Sequence, residues 1–254
     1  MPIFKLNPDA KAFYFKRSQV GCLLCHGFTG TPKEVRELGN FLAEKDITIY
    51  APRLPGHGTS IDDLKTTCFT DWFLEYSKGV DKLAADCQEI FVCGLSLGGI
   101  LSLKYAIDHP VAGIIAMATP LTFGVLNTLA LAIIGGIAKN IVITKSKETL
   151  AEMKNHSILC YEQDPIGPAN SIRKNLQAIR RNLHRISAPI LILQGLHDAR
   201  WIVHSAKKIH ERVSSTEKEL VFLEQSSHNL LMGPEIASVK KIVYAFLKKH
   251  SVLL

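Results

Sequence analysis

The chain has 254 residues, 47% of them hydrophobic, with 30 Lys and Arg against 23 Asp and Glu for a net charge of +7. This is the make-up of a soluble globule, and an α/β fold of this length can carry a single core, so one domain over residues 1–254 is expected. The basic residues are dispersed, without a stripe interleaved with aromatics, which argues against nucleic acid as a partner.

The N-terminal stretch "MPIFKLNPDAKAFYFKRSQ" has neither the long uncharged core nor the small-residue cleavage site of a secretion signal. Within it, "AFYFK" reads as an antiparallel edge strand. "VGCLLCHG" follows as a buried strand; its Cys22 and Cys25 are three apart, on opposite faces of a strand, which argues against a shared metal. Together with Cys68, Cys87, Cys93 and Cys160 they show no framework spacing, and most sit in apolar runs. They read as reduced core thiols, and a cytoplasmic protein is expected. A helix is expected over Pro32–Glu44, with Thr31 as cap, Pro32 at the first helical position and Glu34 completing a capping box. "ITIYAP" reads as a strand, and a helix over Phe69–Ala85 starts around Asp71, with Trp72 filling the core. Next come the strand "EIFVCGLS", a helix over Gly98–Ile107 and the strand "VAGIIAMA".

Between His109 and Lys139 no residue is charged, long enough to suggest a membrane span. Ala118–Pro120, Thr122, Asn127, Thr128 and Gly135-Gly136 break the run, so it reads as a strand followed by a separate apolar element, "FGVLNTLALAIIGGIA". From "MATP" to "SAPILIL" roughly seventy residues contain no clear sheet strand, far more than a crossover needs. An insertion over about 121–186 is expected, a cap of a few short helices above the sheet. In its basic segment, "ANSIRKNLQAIRRNLHRI", Ile172, Leu176, Ile179 and Leu183 share one helical face beside Arg173, Lys174, Arg180 and Arg181. Either that face covers a core with the charges in solvent, or it makes weak contact with an anionic membrane surface. The strand "PILILQG", a helix over Val203–Arg212, the strand "ELVFLEQ" and a helix over Glu235–Lys249 complete the chain. Such alternation predicts a mostly parallel central sheet with helices on both faces.

"GLSLG" places Ser96 between glycines where a strand meets a helix. A G-x-S-x-G match alone is weak, and becomes informative only if other loops supply its partners. In an open parallel sheet, reactive groups gather at the carboxyl ends of strands. Asp198 follows "PILILQG" and His228 follows the last strand, so three loops each deliver the required residue type in the order Ser, Asp, His. A serine hydroxyl needs a base to remove its proton as it attacks a carbonyl; His228 suits that role, and Asp198 would fix its tautomer. The developing oxyanion needs two donors, expected from the backbone N–H groups of Leu97 and Phe28. His26, His57 and His197 read as structural.

The segments "LLCHGFTGTPKEVRELGNFLAEKDITIYAPRLPGHGTS", "DW", "VCGLSLGG" and "STEKELVFLEQSSH", with the Asp198 loop, resemble the bacterial carboxylesterase and monoacylglycerol lipase family. The resemblance covers nearly the whole chain and is weakest in the cap. It implies the α/β-hydrolase fold, Ser96 as nucleophile, Asp198 as acid, His228 as base, and the amides of Phe28 and Leu97 as oxyanion hole. It implies no cofactor and no metal. Two departures are visible. "ARWIV" follows Asp198 where relatives place an apolar residue and a proline, so Arg200 and Trp201 alter the rim. The acidic cap residue that holds glycerol in such lipases has two candidates here, Glu152 and Glu162.

Phe123, Leu126, Leu129 and Ile133 lie in the apolar part of the cap and are expected to contact the acyl chain, each buried methylene contributing about 0.8 kcal/mol. The expected activity is serine carboxylic ester hydrolysis through an acyl-enzyme, on short-to-medium acyl esters, with monoacylglycerols as a candidate substrate, by a monomer or homodimer. The alternatives are an acyltransferase or thioesterase, or a non-catalytic binding protein on the same fold.

Overall fold

The computed structural model describes residues 6–124 and 141–254. The expected acyl contacts Leu126, Leu129 and Ile133 lie outside the described residues.

Strand β1 (Phe13–Phe15) pairs antiparallel with β3 (Thr48–Ala51), the edge strand expected from "AFYFK". The other strands, β2 (Val20–Cys25), β4 (Glu89–Leu95), β5 (Gly113–Met117), β8 (Ile190–Gly195) and β9 (Lys218–Leu223), run parallel with β3 in the order β1-β3-β2-β4-β5-β8-β9. From β2 the chain steps to β3 on one side and then to β4 on the other. The carboxyl ends of β2 and β4, where Cys25 faces Gly94, therefore form a topological switch point, where ligands bind in such sheets.

Period-two alternation sorts the side chains into two cores. After a short helix α2 (Ile61–Lys65) comes α3 (Phe69–Ala84), and Leu23 and Cys25 pack on one face against α3 and α4 (Leu97–Asp108). Cys22 and Leu24 face the other, against α1 (Lys33–Ala43) and the C-terminal helix α8 (Ile236–His250). The two cysteines thus sit in different cores, as their spacing requires. All six thiols are free. Asp71 accepts the Cys68 N–H at 2.8 Å to start α3, and Trp72 is fully buried with its indole N–H donating to the Pro55 carbonyl.

The start of α1 differs from expectation. Pro32 occupies the cap position with no side-chain cap bond, and the Thr31 hydroxyl donates instead to the Leu159 carbonyl. The Glu34 carboxylate reaches past Thr31 to the Gly27 N–H, so the anticipated capping box is absent. The cap also differs from a set of short helices. Strands β6 (Val142–Thr144) and β7 (Gln163–Pro165) form their own antiparallel ladder around α5 (Lys147–Asn155), and α6 (Ile166–Asn182) is 17 residues long. On α6, Ile172, Leu176 and Ile179 are buried in the core with Leu183 just beyond, while Lys174 and Arg181 are exposed. The apolar face therefore covers the core. Between β8 and β9 lies α7 (Arg200–Arg212). Among the described residues no helix is long and apolar enough to cross a membrane.

Because Leu176 is 1% exposed, Leu176→Ala is expected to lower the unfolding free energy by about 3 kcal/mol, whereas Arg181→Ala changes it by less than about 0.5 kcal/mol. Urea unfolding of the two variants checks this.

Candidate active site

Ser96 follows β4 and opens α4 with φ 53° and ψ −109°, a backbone state that costs a non-glycine residue of order 1–3 kcal/mol. Three glycines allow the turn because their neighbours leave no space for a side chain. A Cβ on Gly94 would lie 2.0 Å from the Gly98 carbonyl carbon, and one on Gly98 would lie 2.2 Å from the Cys25 oxygen. One on Gly99 would lie 1.9 Å from the Thr119 hydroxyl. The strand and helix can therefore close on each other and project the Ser96 side chain at the switch point. Leu97 is the first residue of α4, so its N–H has no acceptor within the helix.

The loop after β2 brings Phe28 to the same place, and Gly27 is held from both sides. Its N–H donates to Glu34 Oε2 at 2.9 Å; its carbonyl accepts from His26 Nδ1 at 2.9 Å and from the Gly30 N–H at 3.2 Å. In a trans peptide the next N–H points opposite to the carbonyl, so fixing the Gly27 oxygen also aims the Phe28 N–H. His26 is fully buried, and its Nε2 accepts the Leu54 N–H. Burial pushes its pKa down to about 4 and that of His57 well below the usual value, so both rings are neutral at pH 7. They support the loop beneath the Phe28 and Trp72 rings.

Asp198 and His228 meet across two loops. His228 Nδ1 lies 2.8 Å from Asp198 Oδ2, with the Asp198 side chain 4% exposed and that of His228 42%. Asp198 Oδ2 also accepts from the Gln194 amide at 2.9 Å, and Oδ1 accepts the Ala199 N–H at 2.7 Å where α7 begins. The carboxylate is thus held by three donors. Desolvation opposes a charge on His228, but the Asp198 carboxylate, with Glu34 and Glu152, raises its pKa above the ordinary histidine value.

Ser96, Leu97, Phe28, Asp198, His228 and Phe123 all line one cavity of about 510 Å³. One wall is apolar, from Ile100, Phe123, Ile172, Trp201 and Ile202. Trp201 stacks loosely on Phe123 with ring centroids 6.2 Å apart, so the departure at "ARWIV" becomes part of this wall. The polar part of the lining comes from Thr29, Lys145, Thr149, Glu152 and Asp164. There Lys145 pairs with Asp164 and donates to the Thr29 hydroxyl, and Glu152 accepts from the Ser227 hydroxyl at 2.5 Å. Of the two acidic cap candidates, Glu152 lines the cavity; Glu162 is exposed and lines a different pocket.

Sequence reasoning missed Lys145, Asp164, Gln194 and the true partner of Glu34. Gln194 left a trace as the one polar residue inside "PILILQG". Lys145 and Asp164 left none, because only the β6–β7 ladder brings them together.

Residues 17–235 match the family described as "Serine aminopeptidase, S33". The chain is 31% identical over 240 residues to a carboxylesterase of Bacillus subtilis, covering 94% of this chain and 96% of the relative. It is 32% identical over 246 residues to a thermostable monoacylglycerol lipase of Bacillus sp. strain H-257, covering 95% and 96%. Among solved structures, one described for LipS and LipT, two metagenome-derived lipolytic enzymes, superposes with a TM-score of 0.88 at 27% identity over 97% of this chain and 100% of that one. The Paleococcus ferrophilus monoacylglycerol lipase superposes at 0.81 with 18% identity over 95% and 99%, and shares the fold. With strand order, strained serine turn and sequence in agreement, the chain belongs to the S33 serine aminopeptidase family of α/β-hydrolases.

Proposed function

We propose that this protein is a serine carboxylic ester hydrolase working through an acyl-enzyme on short-to-medium acyl esters, monoacylglycerols included. One observation carries the reading: Ser96, strained at the switch point, shares a cavity with an imidazole held 2.8 Å from a buried carboxylate. Similarity to a carboxylesterase and a monoacylglycerol lipase supports it.

In this reading His228 takes the Ser96 proton as the oxygen attacks the ester carbonyl, and Asp198 stabilises the imidazolium. The Phe28 and Leu97 N–H groups receive the oxyanion. The imidazolium then protonates the leaving alcohol, and water, activated by the same base, releases the acid. The cap over about 121–186 contributes to both kinds of lining: Phe123 and Ile172 for the acyl chain, and Glu152 for the alcohol. A cavity of about 510 Å³ is a small-ligand volume, suited to short or medium chains. The six free thiols, four of them buried, support a cytoplasmic location. The family description adds a peptidase reading, which parallel assays with aminoacyl p-nitroanilides and p-nitrophenyl esters separate.

Ser96→Ala is expected to lower kcat for p-nitrophenyl butyrate by at least about 10⁴-fold with unchanged thermal unfolding. Retained turnover in that variant overturns the reading. Because the folded site raises the His228 pKa, the base is protonated at higher pH than a free imidazole. The acid limb of kcat/KM is therefore expected to have its midpoint above 6.5, measured from pH 5 to 9. Glu152→Ala is expected to raise KM for a 1-monoacylglycerol about tenfold while changing that for the matching methyl ester far less, from the loss of one charge-assisted hydrogen bond to the glycerol hydroxyls.

A further inference from the structure

Glu34 is 6% exposed, on the first turn of α1, and its burial is left without a purpose once the capping box is gone. A neutral acceptor could satisfy the Gly27 N–H without the desolvation cost of a carboxylate. Instead an ionisable group sits directly under the loop that carries Phe28. A Cβ on Gly30 would lie 2.4 Å from both carboxyl oxygens, so the loop rests on this side chain without room for another. A Cβ on Gly27 would lie 3.5 Å from Glu34 Oε2 and 3.6 Å from the Ser96 Cβ, so the carboxyl and the serine flank the same glycine.

The carboxyl also faces a side chamber of about 120 Å³ that it shares with Ser96, His228, Lys145, Glu152 and Cys160. We propose that Glu34 is a positioning residue of the reaction: its carboxyl holds the oxyanion loop through Gly27, and its charge tunes the His228 imidazole. The kinetic part rests on the ester-hydrolase reading above.

The charges around it are few. Burial pushes the Glu34 pKa up to about 7, against the pull of the Gly27 N–H, His228 and Lys145. Cys25 and Cys160 face it as neutral thiols, each raised by its own burial and by the Glu34 carboxylate. Lys145 is paired with Asp164, and Glu152 adds negative charge toward His228 from α5. Glu34 and His228 influence each other, so their midpoints belong to the pair. The sign is fixed: an ionised Glu34 favours the imidazolium, and removing the carboxylate lowers the His228 midpoint.

The test compares the wild type with Glu34→Gln and Glu34→Leu. NMR titration of His228 in the resting protein is expected to show a midpoint about 0.5 pH lower in both variants, a smaller effect than the 1–3 of a charge in direct contact. The acid limb of kcat/KM for p-nitrophenyl butyrate moves the same way. Glu34→Leu, with no acceptor for Gly27, loses about tenfold in kcat with little change in KM, less than the loss of a whole oxyanion donor. Glu34→Gln, whose amide oxygen still accepts, loses less. An unmoved His228 midpoint in Glu34→Gln overturns the proposal, and that variant decides alone if Glu34→Leu fails to fold. Equal kcat in two folded variants overturns the loop role. A wild type that cleaves no ester while the midpoint still moves refutes the ester reading and leaves the coupling standing.

Discussion

The site depends on one backbone constraint, the left-handed turn that places Ser96 between β4 and α4. A serine does not hold φ 53° unless its surroundings enforce it. Here enforcement is steric. Gly94 and Gly98 bring strand and helix backbones into contact, and Gly98 lies against the carbonyl of Cys25 at the end of β2. The same contact that strains the serine therefore locks its strand to the strand that launches the Phe28 loop. Ser96 and the Phe28 amide derive their spacing from one close approach of backbones.

Around that centre, two polar groups are each held from several sides. Asp198 accepts from His228, Gln194 and Ala199; the Gly27 peptide is held by Glu34, His26 and Gly30. Such networks fix orientation because a displaced member would leave buried atoms unsatisfied. His26 and His57 serve as neutral struts, while His228, half-exposed beside a carboxylate, retains a proton affinity suited to exchange. Environment separates three histidines that composition cannot tell apart.

The sheet was legible because alternation and apolar runs are local signals: each strand from "VGCLLCHG" to "ELVFLEQ" forms near where its pattern lies. Ser96, Asp198 and His228 were legible because each follows such a strand, and the sheet delivers them to one edge. The cap was not. Its ladder pairs Val142–Thr144 with Gln163–Pro165 across an intervening helix, and short strands with polar residues carry no periodic mark. Glu34 misled for a different reason. A glutamate three residues after a threonine has the spacing of a helix cap, but the nearby Gly27 N–H took the carboxylate instead, a competition invisible without the fold.

The lining of the cavity is of two unlike kinds. Ile172, Trp201 and Ile202 give apolar surface to the cavity that Ser96 lines; Lys145, Thr149, Glu152 and Asp164 give polar surface. An acyl tail laid along the charged residues would strand those groups without solvent, so the apolar residues are the less costly resting place for it. A chain held there would keep water from the apolar part of the cavity.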